Sequence, residues 1–338
     1  STYNTAVGHH AGIAVTTGIQ NTLIGGLAGD ALTDSDKNVA VGYSALGTEV
    51  LGQFNVAIGR SALQAQSNGS AVDVYNTAVG YNAGAAVTTG VQNTFIGGLA
   101  GDATDDGTNN VAVGFEALSA NCGSSNTSVG TRAGKATTAD NNTFVGNNAG
   151  TANTTASNNT AVGASALLAN TTGANNTALG IQALDGNTTG SENIGIGSNA
   201  LGSNTTANDN VAIGGGALAT NTTGADNVAI GRVALANSTT ASNNTAVGKS
   251  ALFANTTGTS NVALGALALD ANTTGNQNVG VGKNAIGTNT TGDANTAIGH
   301  GALAVATTAD NNTAVGFHSL VANTTGASNA VLGAYALD

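Results

Sequence analysis

The chain has 338 residues, with 7 Lys and Arg against 18 Asp and Glu, a formal net charge of −11 and only 7% charged residues. That balance repels phosphate backbones and excludes nucleic acid as a partner, and no run approaches the roughly 18 consecutive apolar residues of a transmembrane helix. A single cysteine, Cys122, excludes an internal disulfide framework, and 50 Gly with no Pro, Met or Trp and 3% aromatic residues is not the composition of an ordinary globular enzyme.

The chain opens at Ser1 without Met, as a processed product or a piece of a longer chain does. Its first motif, Asn4-Thr5-Ala6-Val7-Gly8, then recurs to the end. The closing glycine returns at Gly25, Gly42 and Gly59, at Gly80 after a step of 21, and at Gly97 and Gly114. Two steps of 16 follow, to Gly130 and Gly146, and eleven steps of 17 then run to Gly333, giving twenty repeats. Each has Asn four residues before the glycine and Val, Ile or Leu just before it. All but the repeat containing Ser319 have Ala three residues after it. From Leu167 onward the fourth residue after it is always Leu or Ile, whereas earlier repeats often have Gly there, as at Gly12, Gly84 and Gly150.

A period of 17 is too short for helix-turn-helix or leucine-rich repeats and fits one coil of a β-solenoid. The sequence therefore predicts an all-β parallel solenoid of about 20 coils, one domain over residues 1–338. At about 4.8 Å per coil it would be a rod of roughly 95 Å. The Asn-Thr-Ala-Val-Gly segment reads as a strand, with Thr and Val on one side and Asn, Ala and Gly on the other. The following Ala-Leu pair reads as the start of a second strand, and Asn-Thr-Thr-Gly as the closing turn. Residues 64–75, Gln64 to Tyr75, read as an inserted, protruding loop. Asn159, Asn176, Asn210, Asn227 and Asn244, with Gly163, Gly180, Gly214, Gly231 and Gly248, represent the structural ladder, the amides stacking in register along the axis. The stripe of small residues, such as Ala161, Gly163 and Ala166, reads as a flat face for close association with another chain.

Asn-Thr-Ala-Val-Gly and Asn-Val-Ala-Ile-Gly segments with Ala-Leu at fixed offset resemble the head repeats of YadA-type trimeric autotransporter adhesins and of bacteriophage tail fibres. Repeats such as Asn21-Thr22-Leu23-Ile24-Gly25-Gly26-Leu27-Ala28-Gly29-Asp30 look most like the fibres of marine tailed phages. The resemblance covers the whole chain. It implies a left-handed parallel β-roll, a homotrimer and an extracellular adhesive or spacer role in a virion fibre or on a cell surface. The period is longer than that of the adhesin heads, and there is no heptad stalk, neck motif or membrane anchor.

Side chains free to vary beside invariant neighbours point outward. Tyr43, Tyr81 and Phe115, each just after a repeat glycine, are the candidate contacts for a cell-surface glycan or protein receptor, and the 64–75 loop is another. Thr-Thr pairs recur in eleven consecutive coils from Thr154-Thr155 to Thr324-Thr325, so an ice-binding solenoid is one alternative function. A self-assembling surface filament is another. Adjacent threonines point to opposite sides of a strand, so a corner turn accounts for them better than an ice face. Nine Asn-Thr-Thr tripeptides match the glycosylation acceptor pattern, but coil closure explains them better, since Asn and Thr are abundant throughout. The residues predict no catalytic, metal or cofactor site. His9, His10, His300 and His318 lack ligand spacing, and acidic groups such as Asp102, Asp105 and Asp106 sit in turns.

Overall fold

The computed structural model describes residues 3–337 and divides the chain into two compact units, Ser1–Thr172 and Gly173–Asp338. The first holds ten three-residue strands, from β1 (Thr5–Val7) to β10 (Thr160–Val162). The second holds ten more, from β11 (Thr177–Leu179) to β20 (Ala330–Leu332). Every strand is the Thr/Val-x-Val/Ile/Leu portion of a repeat or its close variant, and there is no helix among the described residues.

Within each unit consecutive strands pair in parallel at the repeat offset. In the first, Thr5 lies opposite Thr22, and Ala40 opposite Ala57. In the second, Val211 lies opposite Val228, and Ala246 opposite Ala263. Each unit is thus a parallel β-solenoid. Hydrogen bonds run from coil to coil, as from Thr22 N to Asn38 O at 2.9 Å and from Gly25 N to Val7 O at 2.7 Å.

The structure corrects the sequence reading in two linked respects. The Ala-Leu segment is a turn and not a second strand. The second and fourth residues after the repeat glycine are left-handed, with φ of 52° at both Ser44 and Leu46, and 55° and 53° at Gln182 and Leu184. Their N–H groups consequently point opposite ways along the axis. Ser44 N donates back to Gly26 O and Leu46 N donates forward to Ala62 O, each at 3.0 Å. A left-handed conformation costs an L-residue about 1–2 kcal/mol; here complete burial of the leucine offsets it, as at Leu46, Leu63, Leu184 and Leu201.

The second correction concerns which face is inside. The middle strand residue and the alanine three after the glycine are fully buried, as at Ala161 and Ala166 or Ala229 and Ala234. The small-residue stripe is therefore interior and offers no docking face. The flanking Thr or Val and Val, Ile or Leu point outward instead, with Ile24, Ile58, Leu179 and Ile298 all exposed. The physical reason is room. Asn, the middle Ala and the inward-turned Leu already fill the narrow coil, so the bulkier strand residues take the outer side.

Core size also explains the early glycines. The fully buried Phe95 stands where most coils have Ala, and a Cβ at Gly84 or Gly101 would lie 2.8 or 2.5 Å from its ring. Phe144 lies in the same way between Gly134 and Gly150, and Leu23 between Gly12 and Gly29. A large residue in the strand therefore displaces the leucine from its own coil and from the coil before it.

Candidate functional site: asparagine ladders and the outward strand face

The invariant asparagines form a buried ladder in each unit. In the second, Asn193 N donates to Asn176 Oδ1 at 3.0 Å, and Asn210 N to Asn193 Oδ1, Asn227 N to Asn210 Oδ1 and Asn244 N to Asn227 Oδ1 follow at 3.0–3.1 Å. Most Nδ2 groups of the ladder reach across the coil to a carbonyl, as from Asn176 to Gly190 O at 2.8 Å and from Asn227 to Ala241 O at 2.8 Å. In the first unit Asn159 N donates to Asn142 Oδ1 at 3.0 Å. The ladder thus supplies the polar satisfaction that buried amides and backbone groups require.

The repeat glycines stand beside this ladder. Gly163, Gly180, Gly214, Gly231 and Gly248 have φ between +132° and +139°. A Cβ on Gly214 would lie 2.6 Å from Gly231 O, and one on Gly248 2.6 Å from Gly265 O. Close stacking of coils depends on its absence.

A second asparagine column, missed as such in the sequence, is made by the Asn-Thr-Thr motifs. Asn204 Nδ2 donates to Asn187 Oδ1 at 2.8 Å, Asn221 to Asn204 at 3.0 Å, and Asn272 to Asn255 at 2.9 Å. Asn187, Asn204 and Asn221 are fully buried, so these acceptor tripeptides present no asparagine to a glycosylating enzyme in the folded chain. At Ser238 the column breaks, and both Asn221 Oδ1 and Ser238 Oγ are buried without a partner. Ser238→Asn is expected to close the gap and raise stability by about 1–3 kcal/mol, the usual penalty of an unsatisfied buried group. Urea unfolding of the full chain checks this, and an unchanged or lower midpoint would refute it.

The threonine pairs divide their roles. Thr188 Oγ1 donates to Thr205 O at 2.9 Å, and Thr205 Oγ1 to Thr222 O at 3.0 Å. The second threonine of each pair, such as Thr189 and Thr206, is exposed at the corner. Half of the hydroxyls are thereby engaged along the axis instead of facing solvent as a lattice.

Tyr43, Tyr81 and Phe115 are exposed at 54%, 51% and 47%, but they lie on alternate coils and make no ring contact with one another. Arg60 lies over the Tyr81 ring at 5.7 Å, between the coils of the two tyrosines. Rings do gather where His300, Phe317, His318 and Tyr335 stand on three successive coils, with centroids 4.4–6.0 Å apart. Their shared location follows from the 17-residue offset. Cys122 is buried, with Sγ 3.1 Å from Thr104 Oγ1, and burial pushes its thiol pKa up. Burial likewise raises Asp102, Asp185 and Asp270 above the ordinary carboxylate value. No group of three potential metal ligands occurs among the described residues.

The outward strand face recurs from coil to coil within each unit. Its strands contain no charged residue. In the first unit the row includes Val7, Ile24, Ile58, Ile96 and Val129; in the second, Leu179, Ile230, Leu264, Ile298 and Leu332, all exposed. No protein-family model and no curated protein matches the chain.

Proposed function

We propose that the chain is a structural and adhesive segment of an extracellular fibre, a phage tail fibre or a trimeric surface adhesin, in which three copies associate and present their turns to a receptor. One observation carries the reading: in each unit a parallel sheet whose outer face is uncharged and carries an unbroken row of Val, Ile or Leu. Parallel sheets are almost always covered on both sides, and an apolar surface of this continuity marks an interface. The face thus takes over the role that the sequence reading gave to the small-residue stripe. The resemblance to YadA-type heads supports three as the number of copies.

The work of such a segment is mechanical and needs no catalysis. Axial hydrogen bonds and buried amide ladders resist bending, and contacts repeated along the coils add by multivalency. Exposed Tyr43, Tyr81 and Phe115 offer separate ring contacts to a glycan or protein receptor.

Light scattering at micromolar concentration is expected to give the mass of three chains. Ile298→Lys together with Ile230→Lys is expected to shift the protein to single chains, because each lysine would place a charge on the covered face. A wild-type chain that stays monomeric would overturn the reading.

A further inference from the structure

In the first unit one buried charge stands in the column that also holds Leu32, Gln66, Val87 and Thr104, all fully buried. Glu49 is 0% exposed. Its Oε1 accepts hydrogen bonds from Val50 N at 2.8 Å, Leu51 N at 3.0 Å, Gly52 N at 2.7 Å and Asn68 N at 3.2 Å. Its Oε2 accepts from Gln66 Nε2 and Asn68 Nδ2, both at 2.9 Å. Every one of these six groups is a donor, and none carries a charge. A protonated carboxyl would set its own O–H among donors, so only the carboxylate satisfies the site.

The site lies at the one long step in the repeat. Most of residues 64–75 remain in the coil: Ser67 N donates to Thr88 O, Gln53 pairs with Asp73, and Gln92 N donates to Val74 O. The protrusion is thus smaller than the sequence suggests, and it centres on Asn68–Ala71, where a Cβ on Gly69 would meet nothing within 4 Å. The bulge loosens the asparagine ladder without breaking it. Asn76 N still donates to Asn55 Oδ1, at 3.3 Å, but Asn55 Nδ2 is buried without a partner, while Asn76 Nδ2 adds a bond to Gln66 Oε1 at 2.9 Å. Glu49, Gln66 and Asn68 form a polar network beside this loosened rung, tied to it through Gln66 Oε1.

We infer that the negative charge of Glu49 is a latch that folds the Asn68–Ala71 bulge onto the solenoid. Asn68 is the contact through which it acts, since both its backbone N–H and its side-chain amide bond to the carboxylate. The latch fixes a surface feature whose chain runs directly into Tyr75, stacked on Phe54 at 5.1 Å, with Lys37 4.7 Å over the Phe54 ring. Glu49 is therefore a positioning residue for this exposed patch.

Burial raises the Glu49 pKa, but the hydrogen bonds from Gly52, Asn68 and Gln66 outweigh it and hold it below the ordinary glutamate value. A depressed folded-state pKa means that the stabilisation is fully present above the unfolded value and is lost as pH falls through the folded one. The latch is accordingly closed at neutral and mildly acidic pH.

Hydrogen exchange and limited proteolysis of the full chain test the latch. Glu49→Gln keeps the size and removes the charge, and Glu49→Leu installs the residue that Leu32 places one coil earlier. Both are expected to speed amide exchange at Val50–Gly52 and Asn68 at least tenfold and to admit cleavage within 67–72, with peptides of the second unit unchanged. Retained protection in either variant would overturn the inference. Loss of protection throughout the chain would overturn it too, by showing a general folding role instead of a local one. Opening of the wild-type bulge at pH 5–6 would likewise count against it.

Discussion

Gly248→Ala is expected to destabilise the second unit by roughly 3–5 kcal/mol, through left-side backbone strain together with overpacking. The glycine has φ of +138°, which L side chains rarely adopt, and the added methyl would sit 2.6 Å from the carbonyl oxygen of Gly265. Neither neighbour can yield, because both are backbone in a hydrogen-bonded stack: Gly265 N donates to Val247 O at 2.8 Å. Gly215→Ala is the internal control. A Cβ there meets only Ser198 O, at 4.0 Å, and the change should stay within about 0.5 kcal/mol. Coils contact chiefly their sequence neighbours, so exchange protection should fall most around the coils of Gly248 and Gly265. Equal unfolding midpoints for the two variants would refute the argument.

Phe95→Ala is expected to cost about 3–5 kcal/mol, since a fully buried ring would leave a cavity between Gly84 and Gly101. Gly101→Leu with Phe95 in place should also destabilise, because its first carbon would already lie 2.5 Å from Phe95 Cδ1. The triple variant Gly84→Leu, Phe95→Ala, Gly101→Leu writes the pattern of the other coils and should recover more than half of the Phe95→Ala loss. Chemical unfolding of the three variants reads out this coupling. Additive losses would show that ring and glycines do not share one space, and would contradict the exchange seen again at Phe144 and Leu23.

The candidate site was only partly legible. The 17-residue spacing placed the asparagines in register, and the invariance of Asn and Gly marked them as the ladder. Glu49 escaped notice because a carboxylate in a repeat otherwise rich in small residues reads as a solvated turn. Its six donors include Gln66, one regular coil on, and Asn68, where the chain enters the bulge. Ser238 escaped for a related reason. The Asn237-Ser238 order looks like a trivial variant of Asn-Thr-Thr until the stacked column shows which of the two residues occupies the rung.

By itself the sequence determined the period, the strand in each coil, the parallel register and the ladder of asparagines, because these follow from repetition along one dimension. Only the tertiary structure decided which side of the strand faces inward. Alternation with a period of two separates the faces of a strand without ranking them, and a leucine at φ near +50° is contrary to local preference. That leucine turns into a coil too narrow for Val and Ile as well, which sends the aliphatic row to the surface.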